Sequence, residues 1–153
     1  MTGPSVIAGH ALGAAIVVVN PSGRVLLVRH NYGRHNWEIP GGNCEAGESA
    51  AETAMREARE ELGVDVRIGH LAGVYWEPAW REDRGMHHFV FRAELAAKLP
   101  AASPDPREIA EWGWFTLHEP PRPISDFTLR RIKDAIDGAQ STFAVIGVRS
   151  WLE

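Results

Sequence analysis

Residues 42–64 read Gly-Asn-Cys-Glu-Ala-Gly-Glu-Ser-Ala-Ala-Glu-Thr-Ala-Met-Arg-Glu-Ala-Arg-Glu-Glu-Leu-Gly-Val. From Ser49 to Leu62 this stretch has no Gly or Pro, is rich in Ala, Glu and Arg, and stops at Gly63, which predicts a helix with a glycine C-terminus. Ala51, Ala54, Met55, Ala58 and Leu62 recur at three- and four-residue steps and form a stripe able to pack on a sheet. The other side carries Glu57, Glu60 and Glu61, whose spacing gathers three carboxylates within reach of a common point. Like charges so placed repel by a few tenths of a kcal/mol per pair, so a compensating cation is expected. Hard oxygen ligands suit Mg²⁺ or Mn²⁺, and Mg²⁺ usually takes one or two carboxylates and leaves room for substrate phosphates. Arg56, four residues from both Glu52 and Glu60, can brace the acids, while Gly41 and Gly42 allow a tight turn and close backbone approach.

Outward from this segment, Ala11–Asn20 and Arg24–His30 are apolar runs separated by the turn signal Pro21-Ser22-Gly23 and predict a hairpin. Trp37-Glu38-Ile39 predicts a short strand stopped by Pro40-Gly41-Gly42. Val64–Val74, Met86–Leu95 and Glu108–Leu117 predict further strands, with the Pro-rich Leu99–Pro106 as a surface connection. Asp126–Asp137 predicts a second amphipathic helix, burying Phe127, Leu129, Ile132 and Ile136. The tail Thr142–Trp151 is compatible with strand or helix. Strands outnumber helices and include hairpins, so a mixed sheet with helices on its faces is expected.

The chain of 153 residues fits one domain, and 44% hydrophobic with 24% charged residues is the composition of an ordinary globular protein. A net charge of −4 provides no basic field for a nucleic-acid backbone, so polymeric DNA or RNA is not expected as the main partner. Cys44 is the single cysteine, which excludes an intrachain disulfide and fits a reducing, cytoplasmic setting. The apolar run Ala11–Val19 is too short to span a bilayer, and no membrane partner is expected.

The segment resembles the box of the Nudix (MutT-like) hydrolase family, G-x5-E-x7-R-E-U-x-E-E-x-G-U, where U is bulky or aliphatic. Gly42, Glu48, Arg56, Glu57, Glu60, Glu61 and Gly63 fill the invariant places, and Ala58 and Val64 the U places. Seven specified residues, each at about 6% background frequency, coincide by chance roughly once in 10⁹ starting positions. The likeness extends to Trp37–Gly42 ahead of the box and to Glu111-Trp112-Gly113-Trp114-Phe115 as a closing strand.

That resemblance implies an α/β/α sandwich with a mixed β-sheet and a loop-helix-loop catalytic motif across residues 1–153. It implies Mg²⁺, with Mn²⁺ as substitute, on Glu57, Glu60 and Glu61, with Arg56 and Glu48 as braces and Gly42 alongside. The implied reaction is water attack on phosphorus in a nucleoside diphosphate linked to a group X, as in ADP-ribose, nucleotide sugars or (oxidised) nucleoside triphosphates. The general base is one of the box glutamates or a carboxylate outside the box; Glu82, Asp83, Glu108 and Glu111 are available, and Glu111 is placed to join the metal side. A catalytically silent sensing module would be signalled by a lost box glutamate, and none is lost; an isoprenyl diphosphate isomerase depends on different supporting residues, including a reactive cysteine, and the intact hydrolase-type box argues against it. Pro78 stands 14 residues beyond Val64, one short of the place where ADP-ribose-cleaving relatives carry a proline.

For substrate contact, Arg29 and His30 end a strand before an open loop, and Trp76 and Trp80 flank Glu77-Pro78-Ala79, read as a loop mouth able to stack a base. His87 and His88 are adjacent in a strand and face opposite sides, so they are not expected to share a metal. Cys44 fills a variable box position with no paired base. Phe127, Phe143, Val145 and Ile146 offer surfaces for a homodimer, with a monomer the alternative.

Overall fold

A computed structural model describes residues 9–153; the first eight residues of the expected domain lie outside the described residues. Ten strands and two helices follow in the order β1 (Ala11–Val17), β2 (Val25–His30), β3 (Trp37–Glu38), β4 (Gly41–Asn43), α1 (Ala50–Leu62), β5 (Val66–Arg81), β6 (Arg84–Leu95), β7 (Ile109–Phe115), β8 (Ile124–Ser125), α2 (Asp126–Ile136), β9 (Thr142–Val145) and β10 (Trp151–Leu152). They form two five-stranded sheets, ordered β4-β1-β6-β5-β9 and β10-β8-β3-β2-β7. Both are mixed: β1–β6, β5–β9 and β3–β8 run parallel and the remaining pairs antiparallel.

The expected β1–β2 hairpin exists only at its neck. Leu26 N donates to Val18 O (3.0 Å) and Val19 bridges Val25, held by Asn20, whose side chain accepts from Ser22 N and Arg24 N. Beyond that turn the strands part, β1 inserting between β4 and β6 and β2 between β3 and β7. Their side chains explain why. Ala14, Ile16, Val18, Leu26 and Val28 are buried toward α1, and Ala15, Val17, Val25 and Leu27 toward α2. A strand apolar on both faces is stable only between two layers, and the alternation sends successive residues into opposite halves of the core.

Helix α1 has the expected ends. Ser49 Oγ accepts from Glu52 N (3.1 Å), and Gly63 closes the helix in the left-handed region at φ 70°. Ala54, Ala58 and Leu62 are fully buried against the sheet. Burying Leu62 alone is worth about 1.5–3 kcal/mol. Helix α2 buries Phe127 and Ile132 as expected, but Ile136 is exposed, because the helix ends there.

Strand β5 runs to Arg81 instead of stopping at Val74. Glu77-Pro78-Ala79 is therefore strand and not a loop mouth. The ladder with β6 shifts register between Glu77 and Arg81, which is where a proline lacking an N–H can sit. The undecided tail forms strands: β9 pairs with β5, and β10 with β8. Phe127, expected as a pairing surface, is 2% exposed and belongs to the core. Among the described residues no helix is long and apolar enough to cross a membrane.

Candidate active site

Two neighbouring cavities share β4 as a common wall. The first, about 400 Å³, is walled by Gly41–Glu45, by Arg56, Glu57, Glu60 and Glu61 of α1, and by Glu108. Arg56 is the hub of its brace. Its Nε and Nη2 donate to Glu48 (2.7 and 3.0 Å), Nη2 also to Asn43 O (2.9 Å), and Nη1 to Glu57 (3.0 Å) and Glu60 (3.1 Å). The hydrogen bonds from Arg56, joined by that from Glu45 N, hold the Glu48 carboxyl down at about 2. Glu48 also accepts from Thr53 Oγ1, fixing the loop before α1 to its first turn.

Glu57 and Glu61 sit deeper. Burial, then the neighbouring acid charge, pushes the Glu61 carboxyl well above its ordinary value, and burial also raises Glu57 despite Arg56. One Glu61 oxygen accepts from Gly41 N (3.2 Å); the other, Oε2, is buried with no hydrogen-bond partner. Glu57 could serve as its partner only if one of the two acids held a proton, since two carboxylates have acceptors alone. A Cβ on Gly42 would lie 2.4 Å from Glu57 Oε1, so the missing side chain is what leaves space for that carboxylate. Among the described residues no three His, Cys, Asp or Glu side chains form a ready-made metal cage. Glu60 is turned toward Arg56 and half exposed. An orphaned buried oxygen, a glycine cradle and hard acidic donors nonetheless suit Mg²⁺, which needs only one or two carboxylates and fills its shell with water and phosphate.

The second cavity, about 150 Å³, shares His30, Tyr32 and Gly41–Asn43 with the first and extends to Glu38, Trp80, Met86, His88, Phe89, Arg131 and Arg149. His30 and Tyr32 stack at 4.8 Å where the cavities meet. Burial lowers His30 toward its neutral form and pushes the Tyr32 hydroxyl up to about 12. Two ion pairs hold its arginines in place. Arg131 donates to Glu38 (2.9 Å), and Arg149 donates through Nε and Nη2 to Glu77 (2.8 and 2.9 Å), which also bonds His88 Nε2 (3.0 Å). Burial opposes ionisation of Glu77, but the bonds from His88 and Arg149 hold it at about 2.

Several expected positions need correction. Glu111 lies inside β7, exposed and opposite Arg29, away from the acidic cavity; the outside carboxylate that lines it is Glu108, just before the strand. Arg29 turns from the cleft and donates Nε to His35 O (3.1 Å), tying down the loop after β2. Trp76 packs against His10 (4.8 Å) and His87 (4.5 Å) and lines neither cavity, whereas His30 and Trp80 do line the cleft. Glu82 and Asp83 form the β5–β6 turn and line neither cavity. Arg131, Arg149, Glu38 and Tyr32 escaped sequence reasoning: the first three join the cleft through partners far along the chain, and Tyr32 stacks on His30 from a loop that carries no motif.

A braced acidic helix on a sheet sandwich, opening into a small aromatic pocket, is the arrangement of a hydrolase of the α/β/α class. The NUDIX domain description matches residues 9–135. A MutT-like protein of Streptomyces ambofaciens is 32% identical over 130 residues, 85% of this chain and 79% of that protein. A putative 8-oxo-dGTP diphosphatase of Bacillus subtilis is 32% identical over 128 residues, 84% and 81% of the two chains. Among solved structures, a UDP-X diphosphatase superposes with a TM-score of 0.74 at 22% identity, covering 92% of this chain and 69% of that one. An ADP-ribose pyrophosphatase from Streptococcus suis gives 0.68 at 18% identity, covering 90% and 100%. The chain belongs to the Nudix family of hydrolases and is MutT-like.

Proposed function

We propose that the protein hydrolyses a phosphoanhydride bond in a small nucleotide, a nucleoside diphosphate linked to X, using Mg²⁺ or Mn²⁺. The observation that carries this reading is the buried Glu57–Glu61 pair, with one oxygen unpartnered, facing a cavity of nucleotide-binding scale. Glu57, Glu60 and Glu61 would hold the ion beside the Gly41–Gly42 backbone. When bound, it neutralises phosphate charge and makes water more acidic. Arg56 keeps Glu57 and Glu60 in register, and Glu48 fixes Arg56 in turn. His30 and Tyr32 stand where the cavities adjoin and exclude water from one side of the phosphates. Glu108, outside the box on the facing wall, takes the proton of the attacking water. The B. subtilis relative, named for 8-oxo-dGTP, supports a nucleoside triphosphate as X-bearing substrate. A net charge of −4 and the lone Cys44 support a cytoplasmic single domain, monomer or homodimer, with no polymeric nucleic acid or membrane as main partner.

The test is a panel of nucleoside triphosphates including oxidised dGTP, ADP-ribose, nucleotide sugars and dinucleotide polyphosphates, with Mg²⁺ or EDTA and product identification. Turnover with Mg²⁺ that EDTA abolishes is expected, and no turnover on any member overturns the reading. Glu108→Gln separates the roles: it should lose rate while keeping the thermal shift with Mg²⁺, whereas Glu61→Gln should lose both.

A further inference from the structure

The sheet ordered β4-β1-β6-β5-β9 ends at β9, and among the described residues no further strand pairs with it. Its ladder to β5 is parallel, and Ile146 N, just past the strand, donates to Trp76 O (2.7 Å). Successive residues of a strand aim their N–H and C=O groups at opposite edges, so Thr142, Ala144 and Ile146 face β5 while Phe143 and Val145 aim theirs at the open side. The same two residues carry exposed apolar side chains. Phe143 and Val145 are each 64% exposed, on the face opposite the one where Ala144 and Ile146 pack on the core. The apolar surface continues inward along the ladder, Phe143 level with Val74 and Val145 level with Trp76. Natural sheets guard an open edge of this kind with a charge, a proline or a bulge. Residues 139–148 contain no charged residue and no proline, in a chain that is 24% charged. With a net charge of −4 on each molecule, this uncharged stretch is where two copies can meet without setting like charges together.

We propose that β9 pairs with β9 of a second copy of this chain, antiparallel about a two-fold axis at Ala144, joining the two sheets into one. In that register Phe143 of each copy lies opposite Val145 of the other. Both residues point their main chain outward, so each opposed pair exchanges two N–H···O bonds and the two pairs make four. The register also sets an aromatic ring against a β-branched side chain twice, a favourable cross-strand combination. A strand from an unrelated protein would have to supply that match, whereas this edge supplies both halves itself. Two-fold pairing uses the open edge of both copies and leaves none for a third, so the assembly closes at a dimer. An interface built on one short strand from each copy falls at the low end of the range, about 1,200 Å² or less in total, which belongs to complexes that dissociate on dilution. Strand β4, which walls the acidic cavity, is the opposite edge of the sheet, so the pairing leaves that site open.

The pairing selects the homodimer over the monomer and requires nothing of the reaction, so its failure and that of the hydrolase reading are separate results. Sedimentation velocity on the full chain, from about 1 μM to about 500 μM, is the first measurement. The mass should rise from 16.9 kDa toward twice that value and no further. Val145→Lys places a charge on the exposed face of the strand, and Val145→Pro removes only an N–H that points away from β5; both should stay monomeric at the highest concentration with the circular dichroism spectrum of the parent. Hydrogen exchange on the parent needs no substitution: the amides of Phe143 and Val145 should slow as concentration rises, while the rest of the chain is unchanged. A monomer at every concentration, a dimer that persists in both variants, growth beyond a dimer, or exchange at these two amides that ignores concentration overturns the proposal.

Discussion

The acidic cavity and the guanidinium pocket share the three residues of β4 as a wall, and their charges are handled in opposite ways. In the pocket each buried charge has an opposite partner: Glu38 with Arg131, Glu77 with Arg149. In the acidic cavity Glu57 has Arg56, but Glu61 has only a backbone N–H and a second acid. A self-neutralised network can serve shape and selectivity without help, whereas an unbalanced one gives up stability for as long as its charge is uncompensated.

The largest effect that would separate the two regions is on stability. Glu38→Ala strands the buried Arg131 and should cost about 3–5 kcal/mol, measured by urea denaturation. A loss below about 1 kcal/mol would mean the pocket does not depend on that pair. Opposite behaviour is expected across β4. Glu61→Gln, like Glu60→Gln, should lower kcat about 10²-fold, roughly 3 kcal/mol of barrier, with the fold intact. In EDTA the Glu61→Gln protein should melt no lower than the parent, because a charge held in the protein against burial is gone. Near-parental activity in both variants would remove these acids from the mechanism.

Binding of the ion gives the next effect. Mg²⁺ at ten times its Kd should stabilise the parent by about 1.4 kcal/mol, read as a shift of several degrees in Tm, and should leave a Glu57→Gln/Glu61→Gln protein unmoved. Gly42→Ala should lower activity about tenfold with little change in Tm, since the new methyl meets the movable end of Glu57 and not backbone. Gly41→Ala should instead destabilise, its Cβ falling 2.3 Å from Ala14 O. The smallest effect is in pH dependence. Glu57 and Glu61 bind protons more tightly folded than unfolded, so their contribution is full in acid and is lost as pH rises above the ordinary 4.5 toward their raised values. Glu77, at about 2, and His88, lowered by burial from 6.5, act the other way: their contribution is full above 6.5 and is lost as pH falls. Thermal melts of the metal-free protein across this range should therefore fall more steeply on acidification once Glu57 and Glu61 are replaced by Gln.

The same contrast decides what could be read from sequence. Arg56, Glu57, Glu60, Glu61 and the caps of α1 interact within one helix and its flanking loop, so spacing alone places them. Arg149 and Glu77 are 72 residues apart, and Arg131 and Glu38 are 93 apart. Their meeting depends on β5 crossing the sheet and on the tail returning to β8, which no local pattern encodes. Glu111 and Glu108 differ by three positions, yet one falls inside the β2–β7 ladder and the other beside the cleft, a distinction that rests on where the ladder begins. Pro78 suggested a break, but the register shift in β5 accommodates it, and with it went the expected loop mouth around Trp76.

The short glycine strand between the two regions works as a fixed spacer. A ligand lying across Gly41–Asn43 runs along main chain, whose rise per residue no side-chain replacement alters. Exchanging residues at the pocket would therefore change which group is held there without moving the bond offered to the acids, and the point of cleavage, counted outward from the pocket, would stay constant while the preferred ligand changed.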